Sequence, residues 1–171
     1  HAVIEDPSRK KLGRLSPVLQ VVLDQGFVRT ALRAIYRHPK VPEIGSAALE
    51  MLLFLIFEGV EETCRKTVTR DLTYPPERLL TLVMGANSFS ENGHKEPLRS
   101  CLKVLGAVIP WWSTETVPHM PIGREVEAAR YLLGIFNKHL HDEHIFISTL
   151  HLLVGTCRNH SMAIALFEVG L

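Results

Sequence analysis

"ALEMLLFLIF" occupies residues 48 to 57, and two later stretches echo it: "CLKVLGAVIP" at 101 to 110 and "TLHLLVGTCR" at 149 to 158. With Leu49, Leu102 and Leu150 aligned, each carries a small residue, then Leu, then an apolar residue two positions on and Leu three positions on. Self-similarity at a period of about 50 residues marks stacked supersecondary units, each unable to bury its apolar face alone.

A strand and a helix compete for the seven apolar residues 51 to 57. The length of the pattern and its Ala-Ala-Leu-Glu lead-in favour a helix over 42 to 59, buried on several sides. The segments on either side read the same way. "SPVLQVVLDQG" (16 to 26) offers Ser16 as a cap, Pro17 at the first helical position and Gly26 as a stop, with Val18, Val21, Val22 and Leu23 as its apolar face. "FVRTALRAIYRH" (27 to 38) places Val28, Leu32 and Ile35 on one side and Arg29, Arg33 and Arg37 on the other. The polar stretch 60 to 72 is expected on the outside. Helices are expected over 75–85, 97–109, 123–140 (stripe Val126, Ala129, Leu133, Phe136), 145–157 and 161–170, with loops at 86–96 and 110–121. No alternating polar–apolar stretch or Asn-Gly hairpin signal stands out, so the fold class is all-α.

A second echo joins the two ends. "VVLDQGF" (21 to 27) and "ALFEVGL" (165 to 171) align on Gly26 and Gly170, with an acid two positions earlier. In order, "VVLDQG", "FVRTALRAIYRH", "PKVPEIG" and "AALEMLLFLIF" give a short helix stopped by glycine, a second helix, a proline-containing turn and a long third helix. This order resembles the armadillo and HEAT-like helical repeat family. The resemblance implies a right-handed superhelix of about three to four repeats with irregular insertions, spanning 1–171 as one domain. Residues 60 to 96 fit it loosely. Because the second echo halts where another second helix should begin, the chain is expected to be a fragment of a longer array.

Composition narrows the function. Apolar residues at 46% and charged residues at 22% suit a globular chain rather than a disordered one. A net charge of +1 lacks the basic excess of nucleic-acid binders, and "DPSRKKLGR" reads as a solvated lead-in. The longest apolar run is too short to span a bilayer. Cys64, Cys101 and Cys157 are odd in number and form no CxxC pair, so each is expected as a small buried hydrophobe in a reducing compartment, the cytoplasm or the nucleus. No cofactor motif, nucleophile elbow or H-E-x-x-H is present.

"NKHLHDEHIF" (137 to 146) gathers His139, His141, Asp142, Glu143 and His144. A metal-dependent enzyme built on this cluster is the least favoured reading. The repeat alignment instead gives Asp142 the N-cap of the third helix of its unit and puts His139 and His141 at the preceding helix's negative end. The favoured function is a non-catalytic scaffold that binds another protein or peptide, with no catalytic residue and no metal. The candidate contacts on third helices are Glu50, Arg99, Lys103, His151 and Arg158, joined by Trp111 and Trp112 after Pro110. The resemblance implies an asparagine ladder where this chain has Phe54, Ala107 and Gly155, so backbone clamping of a basic import peptide is not expected. The alternative function is a homodimerisation or packing module of a larger multidomain protein such as a ligase, kinase or cytoskeletal factor.

Overall fold

The computed structural model describes residues 17–58, 62–112, 124–158 and 160–171, and among them every regular element is helical. The helices are α1 (Pro17–Asp24), α2 (Phe27–Arg37), α3 (Pro42–Leu53) continued by a π turn (Phe54–Glu58), α4 (Glu62–Thr73), α5 (Pro76–Glu91), α6 (Lys95–Trp112), α7 (Arg124–Lys138), α8 (Glu143–Thr156) and α9 (His160–Glu168). Gly26 sits at φ +76°, a left-handed turn that lets α2 start directly after α1. Gly170 closes α9 in the same manner at φ +104°, with Leu171 N–H donating to the Leu166 carbonyl at 3.0 Å.

The helices form two rows. In the first, α5 packs between α2 and α7, and α9 continues on α7. In the second, α6 packs between α3 and α8. The rows are joined where α2 meets α3, α5 meets α6 and α7 meets α8. The side chains facing the interior have helical spacing. Val28, Ala31, Leu32 and Ile35 of α2 are buried, while Arg29, Arg33 and Arg37 face solvent. Phe89 of α5 lies fully buried with its ring against Gly45 of α3, where a Cβ would stand 2.3 Å from Cζ. Gly45 is therefore the site that lets the ring pass. Gly106, exposed on α6, has open space beside it. Gly106→Ala is expected to raise unfolding free energy by about 0.5–1 kcal/mol, measured by denaturant titration.

Several expectations change. Residues 60–72 are not all outside, because Cys64, Val68, Thr69 and Leu72 of α4 are buried where it packs on α5 and α6. The loop expected at 86–96 is helical to Glu91, since α7 covers this end of α5 and Ala86, Phe89 and Ser90 are buried. Pro110–Trp112 belong to α6, and 113–123 lie outside the described residues, as does Ser16. On α7 Ala129 and Leu133 of the expected stripe are buried, joined by Ala128, Leu132 and Ile135, while Val126 and Phe136 are only half-buried. Val21 is exposed on α1, and Leu23 is buried. "MLLFLIF" buries Leu52, Leu55 and Ile56 but exposes Met51, Phe54 and Phe57.

The leucine alignment also slips by one at its third member. Residues 41–50 and 141–150 show the same order of exposed, half-buried and buried positions, so Leu49 corresponds to Thr149. Leu49 is 0% exposed and Leu150 is 40% exposed. Threonine suits the inward position because its hydroxyl donates to the Ile145 carbonyl at 2.7 Å, and Thr156 does likewise to Leu153 at 2.7 Å.

Cys157 is exposed, contrary to expectation, whereas Cys64 and Cys101 are buried. Burial pushes the Cys101 thiol far above its ordinary range, and Sγ lies 3.3 Å from the Leu82 carbonyl oxygen. An aromatic disulfide reagent is expected to titrate Cys157 quickly in the folded chain and the other two thiols only after unfolding.

Candidate functional site

Three long helices side by side give the second row a broad outer face, and a groove of about 380 Å³ lies between α3 with its π turn and α6. Glu50, Leu53, Phe54, Phe57 and Lys103 line it. The sequence reading named Glu50 and Lys103 separately, and the packing of α3 on α6 brings them to one groove. The sequence marks Phe54 only as the residue standing where a ladder asparagine would be and leaves Phe57 unassigned, because the apolar run reads as core. They are 40% and 65% exposed. The π turn carries both, and such one-turn widenings re-aim side chains and recur at functional sites. A signal was available: Glu50 and Glu58 bracket the run, so at least one flank of the helix had to meet water.

The other named residues are dispersed. His151 and Arg158 are exposed on α8 and its C-terminal end. Trp111 and Trp112 stand at the end of α6, and their side chains lie outside the described residues. Arg99 is turned inward along the surface, with Nη1 2.7 Å from Glu96 Oε1 and Nη2 3.8 Å from Asp142 Oδ1.

The His-rich stretch forms a corner where α5, α6, α7 and α8 end or begin. Asp142 caps α8, its Oδ1 accepting from the Ile145 N–H at 3.2 Å. Lys95 Nζ donates to Asp142 Oδ2 at 2.9 Å. The Ser90 hydroxyl and His139 Nε2 share a hydrogen bond at 2.8 Å, and Lys138 Nζ donates to the Ser90 carbonyl. Lys95, Lys138, His139, His141 and Asp142 line a shallow hollow there. Each of these contacts has a structural purpose, and among the described residues no group of three or more His, Cys, Asp and Glu is gathered closely enough to hold a metal ion. His139 is half-buried at this corner. Burial first, and Lys138 second, lower its pKa, so the neutral ring facing Ser90 is favoured.

The bonds from Lys95 and the Ile145 N–H hold Asp142 down from 3.8 to about 2. A carboxylate depressed in the fold adds stability that is complete above pH 3.8 and lost as pH falls through about 2. Asp142→Ala is therefore expected to lower the thermal midpoint at neutral pH and to flatten its fall over that acid window. Equal slopes for the two proteins would contradict the assignment.

Among the described residues no helix is long and apolar enough to cross a membrane. No family model, curated protein or solved structure matches the chain.

Proposed function

We propose that the chain is a non-catalytic, armadillo or HEAT-like scaffold that binds another protein through the outer face of α3, α6 and α8. The groove lined by Phe54, Phe57, Leu53, Glu50 and Lys103 carries this reading. Two exposed aromatic rings beside one anion and one cation form the apolar centre and polar rim of a docking patch. Helix order adds support. Short helix, second helix and long third helix recur as α1-α2-α3 and α4-α5-α6, and the third helices stack on one another in chain order. This is the adjacency that a superhelical array requires.

Panning a displayed library of peptides about 15 residues long against the immobilised chain tests the proposal. Enrichment of a consensus with apolar anchors is expected. Phe54→Ser combined with Phe57→Ser is expected to weaken the selected peptides by at least about tenfold without changing the circular dichroism. A selection that converges on nothing, or peptides indifferent to both substitutions, would sink the reading.

A homodimerisation module is the second reading. Phe167 of α9 is 82% exposed, and Ile164 beside it is 46% exposed. That reading requires a doubled mass in sedimentation at micromolar chain, abolished by Phe167→Ser.

A further inference from the structure

Glu143, Ile147, Leu150, Val154 and Cys157 are all exposed along α8 and its C-terminal cap. They follow at steps of four, three, four and three residues. Such a 3.5-residue repeat is the seam along which a second helix packs, knob into hole. The middle three are Ile, Leu and Val, exposed at 42%, 40% and 59%. The opposite side of α8 is already occupied. Ile145, Thr149, Leu152, Leu153 and Thr156 are buried, and α8 packs on α6 and α7. The seam is therefore not the core side of an amphipathic helix. It is a second apolar stripe on a helix that already has one.

Charge sets the flank. His144, His151 and Arg158 recur every seven residues, so they form one line beside the seam, and all three are exposed. They supply hydrogen-bond donors and a fixed positive charge. The acid of the seam, Glu143, stands at the N-terminal end of α8, where the helix dipole favours it.

We infer that α8 docks an amphipathic α-helix that has branched aliphatic residues at heptad spacing and acidic side chains on the edge meeting His144, His151 and Arg158. The inference rests on the protein-binding reading and names the partner's chemistry. An extended peptide fits less well. Its side chains repeat every second residue, and its free backbone groups would need donors and acceptors that the α8 seam lacks. A second copy of this chain is also a poor occupant, because antiparallel twofold pairing of α8 would set the His144–His151–Arg158 line against itself.

Two designed peptides of about three heptads test this, with identical Leu and Ile seams and either Glu or Lys along the flank. Each is titrated into the full 171-residue chain by fluorescence anisotropy and followed by circular dichroism. The Glu peptide is expected to bind and gain helix, and the Lys peptide to bind at least about tenfold more weakly. Leu150→Glu and, separately, Val154→Glu are expected to weaken the Glu peptide by at least about tenfold. Both positions face solvent, and an unchanged thermal midpoint checks that the fold survives. Joint His151→Glu and Arg158→Glu replacement is expected to reverse the preference. Equal binding of the two peptides, binding without gain of helix, or indifference to both seam substitutions would overturn the inference. So would self-association that Leu150→Glu abolishes, which assigns the seam to a second copy. If library panning finds ligands of the Phe54 groove while the Glu peptide fails, the seam inference falls and the scaffold reading stands.

Discussion

Phe89→Ala is expected to lower the free energy of unfolding by about 3–5 kcal/mol. For a chain of this size that moves the thermal midpoint by about 10 °C. The ring is 0% exposed and reaches from α5 across to Gly45 of α3, so its removal leaves a cavity between elements of both rows. Gly45→Ala alone is expected to destabilise by about 1–3 kcal/mol, because its Cβ would stand 2.3 Å from Phe89 Cζ and the ring must leave its rotamer. Combined with Phe89→Ala, the same alanine meets no ring. It should then contribute the ordinary helix gain of about 0.5–1 kcal/mol over glycine. The two substitutions thus couple by about 2 kcal/mol or more, with Gly45→Ala changing sign between backgrounds. Urea titration of the four proteins measures it. Additive effects would mean that the ring does not rest on Gly45.

Leu49→Ala and Leu150→Ala are expected to differ by about 3 kcal/mol, although the two leucines occupy equivalent places in the sequence echo. Leu49 is 0% exposed, and truncation of a core leucine costs about 2–5 kcal/mol. Leu150 is 40% exposed and lies outside the buried core, so about 0.5 kcal/mol is expected. Equal losses would restore the register in which Leu150 points inward.

That pair also shows what could be read from the residues. Helix starts and stops rest on local chemistry, so Pro42 at the start of α3, the left-handed Gly26 and the Asp142 cap all lie where proline, glycine and acid indicated. Rotation about a helix axis is a tertiary property. Thr149 satisfies its hydroxyl within α8 and turns inward, which leaves Leu150 facing out, and apolarity alone gives no warning of this. Residues 86–91 fail for a related reason. Asn87, Ser88 and Ser90 suggest a loop, but Asn87 Nδ2 donates to Glu91 Oε1 at 2.8 Å and Asn92 Nδ2 to the Ser88 carbonyl at 2.8 Å, so the polar side chains prolong α5. The same limit governs the candidate site. Glu50 and Lys103 were legible as exposed polar groups on long helices, but their meeting in one groove depends on how α3 lies on α6. Glu50 and Glu58 signal that the apolar run meets water on one flank, but which of its residues face out, Phe54 and Phe57 among them, depends on the packing of α3 and its π turn.

The corner at Ser90, His139, Lys138, Lys95 and Asp142 has a consequence for how the chain opens. Its cross-links span 47 to 49 residues of sequence and tie the α5–α6 pair to the α7–α8 pair at the ends of four helices. Neither pair can swing away without breaking charged hydrogen bonds and exposing a buried serine. Amide hydrogens at the end of α5 and the start of α8 should therefore exchange with solvent through one shared opening event, and His139→Ala should split it into two with separate rates.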